Sequence, residues 1–160
     1  MSSSSISSPT STPPSDPSPP EWLPAIPAGL INAELGPLQL AWLGDAVWEL
    51  HQRLRHCRQP GRSADLHRAV VAEVRADAQA AALAVLERDG LLTDAELELV
   101  RKGRNRAGRG PRKGEAGVYG RATGFETMVG WLFLQNPSRL GQLLAYLENA
   151  DPINPLPVNR

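Results

Sequence analysis

The stretch LAWLGDAVWEL, residues 40–50, limits the fold of this chain most strongly, because it sets an acid and a glycine in an apolar segment. Its apolar residues recur at three- and four-residue spacing, which predicts a helix. Glycine inside a helix costs about 1 kcal/mol relative to alanine, and a carboxylate in a core-facing segment is costly unless a partner accompanies it. Gly44 and Asp45 therefore indicate a place where another backbone or a ligand comes close.

A second apolar stretch, TGFETMVGWLFLQ at 123–135, repeats this arrangement with Glu126 and, one turn later on the same face, Gly130. If the two helices pack with these faces together, their carboxylates converge. Converging carboxylates repel one another and need a cation, and oxygen ligands with room for water suit Mg²⁺ or Mn²⁺. On these residues alone an alternative stays open, in which each acid is merely an exposed or capping residue.

The remaining pattern predicts an all-α fold, a helical bundle, because no run alternates convincingly enough for a strand. Ser63, Thr93 and Asn136 are the expected N-terminal caps of later helices. Residues 103–120 contain six glycines and are expected to form a mobile loop. The predicted helices span about 38–56, 64–89, 93–102, 121–135 and 138–149.

The first helix carries an expected core stripe and two tryptophans, Trp42 and Trp48, which lie mostly outside it. Such tryptophans favour the core or a surface that is buried between subunits. A zinc site is an alternative use of His51, His56, His67 and Cys57, but their spacing is not that of a closed zinc site. The expected stripe consists of Leu40, Leu43, Val47, Leu50 and Leu54.

The composition predicts one folded domain at 31–150 between two irregular tails, 1–30 and 151–160. Residues 1–27 hold 9 Ser and 8 Pro, and such a segment buries too little apolar surface to fold, so we expect disorder there. The first basic residue is Arg53, which argues against an import or secretory signal. No apolar run is long enough to cross a membrane. We therefore expect a cytoplasmic protein.

The charge of the chain is zero overall but unevenly distributed. Residues 101–113, RKGRNRAGRGPRK, contain seven basic residues and no acid, which leaves 10 basic against 17 acidic residues elsewhere. A basic patch on an acidic body is typical of contact with phosphate backbones. The alternative is a solvated flexible linker.

The two acidic segments resemble a known family. LAWLGDAVWEL resembles the signature helix of ribonuclease III, and ATGFETMVGWLFL resembles its second acidic helix. RKGRNR, VYGRATGFE and the expected lack of a double-stranded-RNA-binding domain add a specific likeness to the Mini-ribonuclease III group. The resemblance covers about residues 33–150.

This resemblance implies a homodimeric endoribonuclease that cuts double-stranded RNA into products with a 5′ phosphate and a 3′ hydroxyl. Asp45 and Glu126 would be the catalytic and metal-binding residues, with Mg²⁺ as cofactor and Mn²⁺ as a substitute. The implied role is maturation of large-subunit (23S) ribosomal RNA precursors, with a large-subunit ribosomal protein as a further partner. The residues expected to grip RNA are Arg101, Lys102, Arg104, Asn105, Arg106, Arg109, Arg112 and Lys113.

The sequence departs from the larger ribonuclease III enzymes at three positions where they carry acids. Leu38, Ala41 and Thr123 stand there instead, a reduction similar to that of the Mini group. Glu49, one turn after Asp45, is a further candidate carboxylate. The reduced acid set leaves open a non-catalytic RNA-binding or ribosome-associated module, whereas a purely protein-binding bundle would leave the basic segment unexplained.

Overall fold

The computed structural model describes residues 35–108, 110 and 115–150, and these residues form six α-helices and no strand. The predicted all-α class is confirmed. The expected tails at 1–30 and 151–160 lie outside the described residues. In chain order the helices are α1 (Pro37–Cys57), α2 (Ser63–Val74), α3 (Ala76–Arg88), α4 (Asp94–Arg106), α5 (Ala116–Gln135) and α6 (Pro137–Ala150).

Helix α5 is the centre of the bundle and packs against α1, α3, α4 and α6. A helix that is apolar on all sides is stable only when neighbours surround it, and α5 meets this condition. No described helix combines the length and the apolar content that a membrane crossing requires. The most deeply buried apolar side chains of α5, each 1% exposed, are Phe125, Met128, Val129 and Leu132.

The backbones of α1 and α5 touch where Gly44 faces α5. A Cβ atom on Gly44 would lie 1.8 Å from the carbonyl oxygen of Glu126, and one on Gly130 would lie 2.1 Å from that of Leu40. Real Cβ atoms do not approach other atoms so closely, so both positions require glycine. Gly44 therefore makes room for the α5 backbone, one of the two uses that the sequence suggested.

A second glycine pair lets α4 approach α5 in the same way. A Cβ atom on Gly124 would lie 2.6 Å from the carbonyl oxygen of Val100, and one on Gly103 would lie 2.2 Å from Oγ1 of Thr127. The Thr127 hydroxyl is fully buried and donates to the carbonyls of Thr123 and Pro37, at 2.7 and 3.1 Å. This hydroxyl thus joins α5 to the start of α1.

The single helix predicted at 64–89 is wrong, because the chain breaks at Arg75. This residue has an extended backbone, with φ −70° and ψ 155°, and it precedes the first residue of α3. The indole nitrogen of Trp48 donates to the carbonyl of Glu73 at 3.0 Å and satisfies a group that the end of α2 leaves free. Ser63 is the first helical residue rather than the cap, which is Arg62.

The loop predicted at 103–120 is wrong at both ends, because helices occupy residues 103–106 and 116–120. Helix α4 continues to Arg106 and α5 begins at Ala116. Gly103 packs against the neighbouring helix and does not end its own. The capping box of α4 is confirmed, since the amide of Glu96 donates to Oγ1 of Thr93 at 3.2 Å. The cap of α6 is confirmed as well, since the amide of Arg139 donates to Oδ1 of Asn136 at 3.1 Å.

The buried face of α1 is rotated from the predicted leucine stripe. Leu50 and Leu54 are exposed, whereas Trp48 is only 4% exposed and meets Phe125 edge to face at 5.0 Å. Trp48 therefore lies in the core, one of the two places expected for it, and not at a subunit surface. Trp42 is 82% exposed. Leu40 and Val47 of the predicted stripe are buried, so the stripe is correct in its first half.

The contact between α1 and α5 predicts the effect of two single substitutions. Gly44→Ala or Gly130→Ala should lower the free energy of unfolding by about 1–3 kcal/mol or more, because the added methyl group forces the backbones apart. Gly117→Ala on the same helix α5 is the matched control, because its Cβ atom would meet nothing within 4 Å. Urea denaturation followed by circular dichroism measures the difference, and equal stabilities for all three variants would contradict the close contact.

Candidate active site

Asp45 and Glu126 come together beside the contact between α1 and α5. Asp45 is exposed at the edge of α1, and Glu126 is partly buried on α5. The two carboxyl groups are close enough to share a hydrogen bond when Glu126 carries a proton. The predicted convergence of the acids is therefore observed, but the expectation that Asp45 is buried is wrong.

The surroundings of Glu126 favour its protonated form. Burial, followed by the negative charge of Asp45, raises the pKa of Glu126 from its ordinary 4.5 to about 7, while a hydrogen bond from Gln79 acts in the opposite direction. Without a cation, the pair therefore holds a proton near neutral pH. Two acids that cannot both ionise freely form a site in which a cation can replace the proton.

Gln79 is a site residue that the sequence did not reveal. It lies in the first turn of α3 and is only 1% exposed. Its Nε2 atom donates to Oδ1 of Asp45 at 3.2 Å. The one signal in the sequence is that glutamine interrupts a run of alanines in RADAQAAALAVL, where any outward-facing polar residue would give the same pattern.

The donor set fits a divalent metal ion that keeps part of its water shell. Asp45 and Glu126 offer carboxylate oxygens, and Mg²⁺ commonly uses one or two carboxylates together with waters and substrate phosphates. Within the described residues no group of three His, Cys, Asp or Glu side chains could hold a metal. An ion here would therefore depend on water or substrate for most of its ligands.

The other candidate positions near the acids are engaged elsewhere. The carboxylate of Glu49 accepts a hydrogen bond from Nε of Arg53 at 3.0 Å. The hydroxyl of Thr123 donates to the carbonyl of Tyr119 on its own helix at 3.0 Å. Leu38 is 52% exposed and Ala41 is buried, and neither side chain can bind an ion.

Residues 101–106 of the basic segment are helical, whereas the sequence predicts a loop from residue 103 onward. Arg101, Lys102, Arg104, Asn105 and Arg106 are all exposed on the last two turns of α4. Arg101 donates to Glu98 at 2.7 Å, whereas no ion pair between described residues involves the other three cations. The remaining predicted RNA contacts, Arg109, Arg112 and Lys113, lie outside the described residues.

Comparison with known proteins decides the family. A family model described as the ribonuclease III domain matches residues 38–137. The chain belongs to the ribonuclease III family. A Mini-ribonuclease 3 of a Synechococcus species is 49% identical over 114 residues, covering 71% of this chain and 81% of the relative. A Mini-ribonuclease 3 of a Synechocystis species is 46% identical over 117 residues, covering 73% and 80%.

The predicted membership of the Mini-ribonuclease III group is thus confirmed, and so is the enzyme class, an endoribonuclease. A crystal structure of a Fusobacterium nucleatum protein supports the fold, with a TM-score of 0.65 at 24% identity. That match covers 73% of this chain and 94% of the other. Both acidic helices lie inside the matched ribonuclease III domain.

The raised pKa of Glu126 predicts how the stability of this ribonuclease III domain depends on pH without metal. Between pH 4.5 and about 7 the folded protein binds more protons than the unfolded chain, so stability falls as pH rises through this window. Glu126→Gln lacks this titration. In EDTA, the free energy of unfolding of Glu126→Gln should therefore rise relative to that of wild type from pH 4.5 to about 7. The rise should reach up to roughly 3 kcal/mol, at 1.36 kcal/mol per pKa unit.

Thermal melts of both proteins across this pH range measure the effect. Added Mg²⁺ at pH 8 should raise the melting temperature of wild type more than that of Glu126→Gln. A difference between the two proteins that does not change with pH would contradict the coupling of the two acids.

Proposed function

We propose that this chain is a divalent-metal-dependent endoribonuclease that hydrolyses double-stranded RNA at Asp45 and Glu126. The observation that carries the proposal is the meeting of two carboxylates from separate helices, in surroundings that hold a proton on one of them near neutral pH. A carboxylate pair kept at a cost in stability is typical of functional sites. Membership in a ribonuclease family supplies the reaction class.

Mg²⁺, or Mn²⁺ in its place, would supply a water of lowered pKa and stabilise charge on the phosphodiester oxygens. Asp45, exposed at the edge of α1, would offer a carboxylate oxygen to the ion from the solvent side. Glu126, partly buried, would give a carboxylate whose direction the surrounding helices fix. Together they would hold the ion whose charge attracts the scissile phosphate, and hydrolysis by water would leave a 5′ phosphate and a 3′ hydroxyl.

The exposed end of α4 would bind the RNA backbone. A-form RNA is recognised mainly through its shape and its phosphates. Lys102, Arg104 and Arg106 present charges that no described ion pair engages. Because a helix holds these side chains at fixed spacing, they would lose less conformational entropy on binding phosphates than the same residues in a mobile loop.

We further propose a homodimer whose interface includes Trp42. A tryptophan that is 82% exposed leaves a large apolar surface in water, and Leu38 on the same helix is 52% exposed. Such residues are typical of surfaces that another protein covers. A second copy of the chain is the partner that the family resemblance implies, and it would give two sites across one RNA-binding valley.

The finer substrate that we propose, following the same resemblance, is a precursor of large-subunit (23S) ribosomal RNA. A large-subunit ribosomal protein as a further partner stays a prediction. The second candidate function is a non-catalytic RNA-binding module. It is favoured by one observation, the absence of acids at Leu38, Ala41 and Thr123.

Two charge-removing substitutions separate the nuclease from the binding module. Asp45→Asn and Glu126→Gln keep side-chain size, and each should lower the rate of cleavage by orders of magnitude because a metal-binding oxygen is lost. Binding of double-stranded RNA in Ca²⁺ should persist, since α4 is unchanged. The assay uses the full chain with a generic duplex and with a stem of the 23S precursor.

Wild-type cleavage should require Mg²⁺ or Mn²⁺ and stop in EDTA. Glu49→Gln is the control. Because Glu49 pairs with Arg53, this substitution should leave the rate of cleavage nearly unchanged. Wild type that binds the duplex tightly without cutting it would favour the binding module. Variants that cut at the wild-type rate would show that the proposed site is wrong.

The basic end of α4 predicts a change in the salt dependence of RNA binding. Arg104→Ala with Arg106→Ala should weaken binding at low salt and reduce the slope of log K against log salt by roughly one per lost phosphate contact. Arg62→Ala with Arg68→Ala removes equal charge from the N-cap and the body of α2. Among the described helices, neither α2 nor α3 packs against α4. Equal slopes for the two double variants would contradict an RNA contact at α4.

The exposed tryptophan predicts the effect of Trp42→Glu on assembly. Light scattering of wild type should give roughly twice the chain mass of 17.3 kDa, and the variant should shift toward one chain mass. Leu97→Glu is the control, because Leu97 is an apolar residue of α4 that is 40% exposed. A wild-type monomer at micromolar concentration that still cuts both strands would contradict the dimer.

A further inference from the structure

We infer that Gln79 is a positioning residue that fixes the Asp45 and Glu126 carboxylates in one arrangement by hydrogen bonding to both. This inference rests on the proposed function, in which these carboxylates bind a metal ion and act on RNA. It adds to the site a neutral side chain from a third helix, α3, alongside the acids from α1 and α5.

The contacts of Gln79 support this role. Its Nε2 atom donates to Oδ1 of Asp45 at 3.2 Å, and its side chain lies close enough to Glu126 to lower the pKa of that carboxyl group. A carboxamide nitrogen has two N–H donors, one for each carboxylate. The side chain is only 1% exposed, so packing restricts its rotation while Asp45 itself is exposed. The buried amide can therefore restrain an acid that would otherwise sample several rotamers.

The break between α2 and α3 places this amide. The extended backbone of Arg75 starts a new helix, and the backbone N–H of Gln79 donates to the carbonyl of Arg75 at 3.0 Å in the first turn of that helix. Helix α3 packs against α5, the helix that carries Glu126. In a continuous helix over 64–89, the axis of α2 would fix the direction of the side chain at residue 79. The break lets α3 take an orientation of its own.

The chemistry of an amide suits this position better than that of an acid. Glutamine donates hydrogen bonds to both carboxylates without adding a third negative charge to a pair that already repels. Each carboxylate keeps further lone pairs for a cation and for water. Partners that orient metal-binding carboxylates typically affect metal affinity or activity by roughly 10–100-fold.

The test compares Gln79→Met with wild type in the full chain, because methionine has nearly the shape of glutamine and no donor. Mn²⁺ binding to the RNA-free protein, followed by the electron paramagnetic resonance of free Mn²⁺, should weaken by roughly 10–100-fold. The Mg²⁺ concentration for half-maximal cleavage should rise by a similar factor. Binding of duplex RNA in Ca²⁺ should stay within twofold of wild type.

Gln52→Met is the matched control, because Gln52 is a similarly buried amide, 2% exposed, whose described contact is with Arg55. Gln52→Met should keep the Mn²⁺ affinity and the Mg²⁺ requirement of wild type, even if its melting temperature falls as far as that of Gln79→Met. If Gln79→Met fails to fold, Gln79→Asn serves instead, since its shorter side chain keeps an amide but cannot reach the same two carboxylates.

The outcomes separate this inference from the proposed function. The inference alone would be overturned if Glu126→Gln loses the Mn²⁺ binding of wild type while the folded Gln79 variant keeps it. Wild type that neither binds Mn²⁺ nor cleaves RNA would overturn the proposed function and the inference with it. Equal losses in the Gln79 and Gln52 variants would mean that both amides act only through packing, and would overturn the inference.

Discussion

The direct backbone contact between α1 and α5 is the constraint on which the rest of this structure depends. Gly44 and Gly130 face each other's helices with no room for a Cβ atom, so the two helix axes lie unusually close. That closeness brings Asp45 and Glu126 within reach of each other. The same helix α1 buries Leu40, Val47 and Trp48 in the core.

The pair of acids costs stability, which other parts of the fold offset. Burial and mutual repulsion favour a proton on Glu126 near neutral pH. Away from this site, one buried carboxylate is surrounded by donors. Glu96, 3% exposed, accepts from Nε of Arg139 at 2.7 Å and from the amide of Thr93 at 2.8 Å. Arg139 also donates to the carbonyl of Leu91 at 2.5 Å, which ties the start of α4 to α6. This contrast separates a structural carboxylate from one that is available for chemistry.

The proposed RNA surface and the acidic pair share α5 as a common support. Helix α4 approaches α5 through Gly103 and Gly124, as α1 does through its own glycine pair. The basic end of α4 and the acids at the edge of α1 therefore lie on helices that are each seated against the same buried helix. This rigid relation would hold phosphate-binding groups at a fixed distance from the candidate metal site, as positioning catalysis requires.

The sequence by itself determined the helical class, the two acids, the glycines beside them and the caps at Thr93 and Asn136, because these depend on local spacing and local hydrogen bonds. It missed the break at Arg75, the helical state of the basic segment and the role of Gln79. Only the tertiary structure decided these, because an alanine-rich run is helical on either side of a break that packing selects. Likewise, a glutamine among alanines has no direction until neighbouring helices enclose it. A hydrogen bond between α3 and α1, 34 residues apart, is a property of the packed bundle and leaves no periodic pattern in the chain.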